Sequence, residues 1–290
     1  MAAQQPDTRV ITAGIDGSAS SGAVCDAAAW ASTKISAPIR FLHVLERART
    51  PAREDLSGAI GLGSRTKLLD ELTELDEKRG RLAMEHGKLL LQDARERAGT
   101  KGASDVHLQQ RHGTLLEALQ QYEEDTRLFV IGRLGADNEG REQAMGSQVE
   151  TVVRAISRPI LATVGDFTPP ERWMLAYDGS EAATTAVARV ARSPILKGLP
   201  GHVVMVGEDT NVNRAQLEGA AADLRAAGHE VSYHLVRGNI VESLTTFRRE
   251  TGVGLTVMGA YGHSRFREFF VGSNTERMIS QSAVPLLLLR

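Results

Sequence analysis

The chain repeats one order of segments twice, and this repeat most constrains its fold. One half opens VITAGIDGS and the other WMLAYDGS, so each begins with an apolar run that ends at Asp-Gly-Ser. An Ala-rich helical stretch follows each opening, and four further apolar runs alternate with helical stretches in each half. Short Val/Ile/Leu-rich runs between amphipathic helices are typical of parallel strands covered by helices. We therefore predict an α/β chain of two tandem, doubly wound, five-stranded parallel-sheet domains.

A short linker is predicted between the two domains. GDFTPPER, residues 165–172, contains two prolines and has no hydrophobic periodicity. The predicted N-terminal domain therefore spans residues 1–164, and the C-terminal domain spans residues 173–290. The first half is longer by 35 residues between its Asp-Gly-Ser and the glycine after its fourth strand. We assign this excess to a long helical insertion at about residues 47–98.

The insertion is predicted to contain a loop and a helix. Residues 47–65, RARTPAREDLSGAIGLGSR, follow the carboxyl end of a strand, where such sheets bind ligands. They could form a lid or a plain surface loop. After them, leucines recur at spacings of four, three, seven and seven, which predicts one apolar stripe on a long helix: Leu68, Leu72, Leu75, Leu82 and Leu89. Such a stripe usually packs against a core, and a partner-binding helix is the alternative.

Composition excludes several classes of protein. The net charge is -2 and the pI is about 6.5, so no basic nucleic-acid surface is expected. The N-terminal segment does not have the pattern of a secretory signal, and the longest apolar runs are too short to span a bilayer. The single cysteine, Cys25, is expected to be a buried small apolar residue in a helix. We expect a cytoplasmic protein with neither nucleic-acid nor membrane partners.

Glycines near the C-terminus form a candidate phosphate loop. They follow the spacing Gly259-x2-Gly262-x9-Gly272-Ser273 after an apolar strand. Glycine lets backbone N–H groups approach an anion, and Ser273 with Glu276 has the spacing of a capping box at a helix start. The glycines could instead be ordinary turns. The pattern is neither the dinucleotide fingerprint nor a Walker loop.

Acidic and histidine side chains are expected at the same edge of the sheet. Asp178 ends the first strand of the second half, where a doubly wound sheet has its ligand crevice. Its carboxylate could accept hydrogen bonds from ribose hydroxyls or help to hold a metal ion, or it could only shape the turn. In the first half, His43 ends the second strand and is expected to face the crevice.

These features together resemble the universal stress protein family. The resemblance is carried by the strand that ends in Asp, by His43-Val44 at a strand end, and by G-x2-G-x9-G-[ST] before the last helix. It implies an adenine nucleotide alpha hydrolase-like fold, and one branch of the family binds ATP or a related nucleotide, AMP or ADP. In that branch the Asp contacts the ribose, the end of the second strand lines the adenine pocket, and the glycine loop surrounds the phosphates. Mg is a candidate companion ion.

The resemblance assigns nucleotide contacts residue by residue. In the second half these are Ala176, Asp178, Val206, Met258, Gly259, Gly262, Gly272, Ser273, Asn274 and Thr275. In the first half the matching positions are Asp16, Val44, Gly132, Gly135, Gly146 and Ser147. The first half departs from the pattern, because ten residues separate its last two glycines and ADNEGREQAM between them holds three acids and one arginine. Acids repel phosphate, so we expect the nucleotide mainly in the second half.

The resemblance implies a cytoplasmic universal stress protein that binds adenine nucleotide in a stress response. Its alternatives are a slow ATP hydrolase, or another nucleotide-dependent enzyme on this fold, and a nucleotide-free protein-interaction module. No catalytic residue and no metal ligand is assigned. The last strands of the two halves, RPILATV and VPLLLLR, are expected to pair within one chain as a pseudo-two-fold unit. A homodimer of the tandem chain is a further candidate assembly.

Overall fold

The computed structural model describes residues 8–45, 62–133, 147–259 and 273–290, with the side chains of residues 62–70, 147–150 and 273–275 outside that description. Ten strands lie in this part of the chain: β1 (Val10–Ile15), β2 (Ile39–Leu45), β3 (Val106–His112), β4 (Thr126–Gly132), β5 (Ile160–Thr163), β6 (Trp173–Ala176), β7 (Gly201–Val206), β8 (Val231–Val236), β9 (Leu255–Gly259) and β10 (Leu286–Leu289).

Helices separate these strands, as the alternating pattern predicts. They are α1 (Ser21–Ile35), α2 (Leu62–Thr100), α3 (Leu115–Gln121), α4 (Ser147–Ala155), α5 (Glu181–Arg192), α6 (Asn211–Ala226), α7 (Ile240–Thr251) and α8 (Ser273–Gln281). A 3₁₀ turn at Pro194–Leu196 follows α5. None of the described helices has the length and hydropathy needed to cross a bilayer.

All ten strands form one continuous sheet in the order β3-β2-β1-β4-β5-β10-β9-β6-β7-β8. Each half is parallel, and its first strand lies between its second and fourth, as in a doubly wound fold. The halves join where β10 runs antiparallel to β5, with Leu287 opposite Leu161. The predicted fold class and the pairing of the last strands are confirmed. The division at residues 164 and 173 stays a prediction.

Helices cover both faces of the sheet and create two apolar layers. The side chains of α1, α2, α5 and α6 pack in one layer, and those of α3, α4, α7 and α8 pack in the other. Cys25 of α1 is buried as predicted, and burial raises the pKa of its thiol to about 12. The core therefore runs through both halves without a break at the β5–β10 junction.

Two arginines join the halves across this junction. The guanidinium of Arg133, directly after β4, is buried and donates from Nη1 to the carbonyl oxygens of Ile279, Ser280 and Ser282 at 3.3, 3.0 and 2.6 Å. In the opposite direction, Arg290 donates to the carbonyl oxygens at the end of α4. Each contact places a cation at the carboxyl end of a helix, where the helix dipole favours positive charge.

The leucine stripe on α2 does not pack against the core. Leu72, Leu75, Leu82 and Leu89 are 46%, 52%, 58% and 55% exposed. Instead, Leu91, Ala94 and Ala98 hold the carboxyl-terminal part of α2 on the sheet. The prediction of core packing is therefore wrong for these four leucines, because a different face of the helix meets the sheet. The preceding segment that could form a lid lies largely outside the described residues.

Candidate functional site

The candidate site of the second half lies at the carboxyl edge of β6, β7 and β9. In this half β6 lies between two parallel neighbours, β7 on one side and β9 on the other, so the strand order reverses beside it. The crevice at such a switch point is where open α/β sheets bind ligands. The chain leaves β6 at this edge through Tyr177 and Asp178 and enters α5 at Glu181.

Asp178 is exposed in this turn and makes one local hydrogen bond. Its Oδ1 accepts from the backbone N–H of Ser180 at 3.0 Å, and Ser180 Oγ in turn accepts from the N–H of Ala183 to cap α5. Gly179 has φ +74°, a left-handed conformation that suits glycine. The carboxylate thus shapes the turn, and it has no second hydrogen-bond partner within the described residues. Both alternatives for Asp178 remain open on this geometry, since shaping the turn leaves Oδ2 available to a ligand.

Three of the assigned adenine contacts lie on one face of the sheet. Ala176 is paired with Met258 across β6 and β9, and Val206 ends the neighbouring strand β7. All three pack against the apolar layer that contains α7 and α8. Met258 is buried, whereas Ala176 and Val206 are half-buried. The sheet edge therefore offers an apolar wall beside the Asp178 turn.

Gly259 lies where the backbone of α5 comes very close to β9. A Cβ at this position would be 2.5 Å from the carbonyl oxygen of Ala182 and 3.0 Å from the backbone nitrogen of Ala183. Contacts this short are not tolerated, so the strand end and the first turn of α5 can approach only through a glycine. This contact brings Gly259 next to the segment that begins at Asp178. It explains the glycine at this position by packing alone, without a bound phosphate.

Several assigned phosphate contacts lie outside the described residues. These are Gly262 and Gly272 in the second half and Gly135 and Gly146 in the first. Helix α8 begins at Ser273 and α4 begins at Ser147, in agreement with the predicted helix starts. The side chains of Ser273, Asn274, Thr275 and Ser147 belong to the part that is not described.

In the matching turn of the first half, Asp16 accepts more hydrogen bonds than Asp178 does. Asp16 Oδ1 accepts from the N–H of Ser18 at 3.0 Å, from Ser18 Oγ at 2.6 Å and from Ser21 Oγ at 3.2 Å. Ser21 has no counterpart in the second half, where Ala183 stands at the equivalent place. All three hydrogen bonds reach Oδ1, so Asp16 is held in its turn by more local donors than Asp178 is.

Helix α2 covers the strand ends of the first half. His43 is buried, its Nδ1 lies 3.0 Å from the carbonyl oxygen of Ile15, and Gly87 of α2 lies directly over it, with room for no Cβ. The expectation that His43 faces an open crevice is wrong for this reason. Leu90 of α2 lies against Gly17, while in the second half Gln216 of α6 lies against Gly179.

Val44 and Gly132 occupy the strand ends that match Val206 and Gly259. Because β5 and β10 are antiparallel and each is parallel to the rest of its own half, the two carboxyl edges point in opposite directions. The two candidate sites are therefore separate. Among the described residues, no group of three or more His, Cys, Asp or Glu side chains is placed to hold a metal ion.

Sequence reasoning did not find Gln216 or Arg133. Gln216 places a polar amide beside the Asp178 turn, and it stands where the first half has leucine. Comparison of the two helices in register could have found it. Arg133 lies inside the glycine pattern of the first half but points to α8, and no local signal indicates this contact.

Comparison with known proteins agrees with these features. The model of the universal stress protein family matches residues 8–163 and 203–290. Universal stress protein Slr1230 from Synechocystis sp. is 30% identical over 267 residues, which cover 91% of this chain and 93% of the relative. β6 and Asp178 lie between the two matched segments, and the structure places β6 in the same position in its half that β1 has in the other.

Solved structures share the fold over the whole chain. A universal stress protein from Archaeoglobus fulgidus superposes with a TM-score of 0.73 at 20% identity, with 99% of each chain covered. A putative universal stress protein from Pseudomonas aeruginosa has a TM-score of 0.62 at 14% identity, with 97% of this chain and 93% of that chain covered. From the family match and the Synechocystis relative, this chain belongs to the universal stress protein family.

Proposed function

We propose that this chain binds ATP or a related adenine nucleotide, AMP or ADP, at the carboxyl edge of β6, β7 and β9, as a cytoplasmic protein of a stress response. The observation that carries the proposal is the position of the Asp178 turn beside the apolar wall of Ala176, Val206 and Met258 at the switch point of the sheet. A flat apolar base and a ribose with two hydroxyls require this combination of an apolar wall and an exposed acceptor.

Each part of the nucleotide has assigned residues. Asp178 would accept hydrogen bonds from ribose hydroxyls through the oxygen that the turn does not use. The wall of Ala176, Val206 and Met258 would contact the base, and Gly259 would lie under the ribose. The phosphates would lie at the start of α8, because the first-turn N–H groups and the dipole of a helix favour an anion. The remaining phosphate contacts are Gly262, Gly272, Ser273, Asn274 and Thr275.

The second half is the better candidate for two reasons. Asp16 is engaged by Ser18 and Ser21, whereas Asp178 makes a single local hydrogen bond within the described residues. In addition, the glycine loop of the first half carries three acids, which repel phosphate.

The first experiment is to denature freshly purified protein and to identify any released nucleotide by chromatography. Titration of nucleotide-free protein with ATP and magnesium then compares Asp178→Asn with the matched control Asp16→Asn. Asparagine keeps the Oδ1 acceptor of the turn and removes the charge. Loss of hydrogen bonds to a charged acceptor should weaken binding by about 10-fold or more for Asp178→Asn, and Asp16→Asn should change it by less than about 3-fold.

A second pair of variants tests the glycine loops. Gly272→Glu should abolish binding through bulk and charge, and Gly146→Glu should affect it much less. Equal losses in the two variants would contradict the ranking of the halves. No released nucleotide and no binding at millimolar ATP would refute the proposal and favour a nucleotide-free interaction module. Release of ADP and phosphate from bound ATP over hours would instead identify a slow hydrolase.

A further inference from the structure

Helix α2 is far longer than its counterpart in the second half. It has 39 residues, and α6 has 16. Leu90 of α2 and Gln216 of α6 occupy equivalent places against Gly17 and Gly179, so α6 begins at the position of Glu85. Residues 62–84 of α2 are therefore an extension that the second half does not have.

The extension leaves the body of the protein at the carboxyl edge of the first half. Gly87 lies over His43, and the carbonyl oxygen of Met84 accepts a hydrogen bond from Gln110 at 3.3 Å. Before this point the helix has no support from the sheet, because every described side chain from Glu71 to His86 is exposed. In proteins most helical stability comes from packing of an apolar face, so a partner on this extension would contribute much of its stability.

The exposed leucines of the extension follow a heptad repeat. Leu75, Leu82 and Leu89 recur every seven residues, and Leu72 stands three residues before the first of them. This is the a/d spacing of a coiled-coil seam. Leu89 lies about 200° around the helix from Gly87, which faces the sheet, so Leu89 points away from the protein's own core, whereas His86, at the a position before it, lies beside Gly17. Its leucines are about half exposed.

We propose that this seam, defined as Leu72, Leu75, Leu82 and Leu89, pairs with the same seam of a second copy of this chain in an antiparallel two-helix coil. Charge complementarity selects this occupant. When Leu72 faces Leu89 of the second copy, Arg79 faces Leu82 and Leu75 faces His86. Lys78 then comes opposite Glu85 of the second copy at the flanking g positions. The two-fold symmetry forms this ion pair twice.

Other self-pairings bring like charges together. In a parallel coil Arg79 would meet Arg79 of the second copy in the seam, and Glu71 would face Asp76. An antiparallel coil shifted by one heptad would place Lys78 opposite Lys78. The chosen register avoids these contacts and lets the Arg79 stem cover a leucine while its guanidinium reaches water. It also places the two protein bodies at opposite ends of the coil.

The test measures the mass of the full-length chain by light scattering and sedimentation, with charge reversals at two exposed positions. We expect a dimer at about 100 µM for wild type. Lys78→Glu and Glu85→Lys should each raise the dimer Kd by about 10-fold, because each places like charges together twice. The double variant should return the Kd to within about 3-fold of wild type, since it restores both pairs. If each substitution instead weakened its own helix, the two losses would add in the double variant and the Kd would not recover.

Leu75→Ala with Leu82→Ala should give a monomer, and the matched control Val212→Ala, at an exposed apolar residue of α6, should stay dimeric. Unchanged far-ultraviolet dichroism of the body and an unchanged unfolding midpoint show that the variants fold. The proposal is refuted by a wild-type monomer at this concentration, by a dimer that withstands the leucine substitutions, or by a double charge variant that does not recover. A monomer that binds a helix of another protein through this seam would also refute it.

Discussion

Gly259→Ala should destabilise the protein, although glycine-to-alanine replacement often stabilises. The φ angle of Gly259 lies outside the left-handed region, so alanine meets no backbone strain there. The added methyl group would instead stand 2.5 Å from the carbonyl oxygen and 2.6 Å from the carbonyl carbon of Ala182. These are backbone atoms in the first turn of α5, so a side-chain rotation cannot relieve the contact.

Stabilising and destabilising contributions together set the change in the free energy of unfolding. Alanine restricts the unfolded chain, which stabilises by about 0.4–1 kcal/mol, and buries a methyl group for about 0.8 kcal/mol. Overpacking against a fixed neighbour costs about 3 kcal/mol at the upper end, and displacement of α5 strains the Ser180 cap, which is typically worth about 1 kcal/mol. We expect a net loss of about 2 kcal/mol in the free energy of unfolding.

Urea unfolding followed by circular dichroism measures this loss, and thermal unfolding should show a fall of about 5 °C in Tm. The matched control is Gly219→Ala on the exposed face of α6, where a Cβ meets no atom within 4 Å. That substitution should stabilise by about 0.5–1 kcal/mol, because alanine is the better helix former. If glycine-to-alanine replacement destabilises the protein at position 259 and stabilises it at position 219, the close approach of α5 decides the effect.

The reasoning is refuted if Gly259→Ala is as stable as wild type or more stable. The glycine would then not be required by the packing of α5 against β9. A variant that keeps its stability and loses nucleotide binding would assign Gly259 to the ligand alone.

Three further predictions test the junction, the histidines and the cysteine. Arg133→Ala removes a buried cation from three carbonyl oxygens and should cost about 2–4 kcal/mol in urea unfolding, and an unchanged value would show that the junction does not need it. Burial lowers the pKa of His202, His229 and His234, so the unfolded chain takes up protons first as the pH falls below about 6.5. Stability should therefore fall from about pH 7 to pH 5, and a flat profile would contradict this. Burial raises the pKa of Cys25 to about 12, so iodoacetamide should label it only after denaturation; labelling of the native protein would argue against a buried thiol.

The strands and helices could be predicted because their signals are local. The alternation of short apolar runs with amphipathic stretches predicted the parallel strands of both halves, and Asp-Gly-Ser marked the turn after the first strand of each. The repeat then predicted the doubly wound topology. In the candidate site, Asp178 and Gly259 were found by the same local comparison, because each stands at a strand end.

The leucine stripe on α2 shows what a local pattern cannot predict. The spacing from Leu72 to Leu89 predicts a helix with one apolar face, and this much is correct. Which surface covers that face depends on how the helix is rotated on the sheet, and Gly87, Leu91 and Ala94 decide that rotation. A core stripe and a partner-binding seam have the same spacing, so the sequence could not separate them.

The sequence by itself determined the fold class and the number of strands in each half, because strand and helix periods and turn residues act over a few neighbouring residues, and it predicts a candidate site at the strand ends. Only the tertiary structure decided that Arg133 reaches Ser280, 147 positions away, and that Gly259 is needed by α5. These contacts join residues far apart in the chain, and their distances are set by the packing of the whole sheet and its helices.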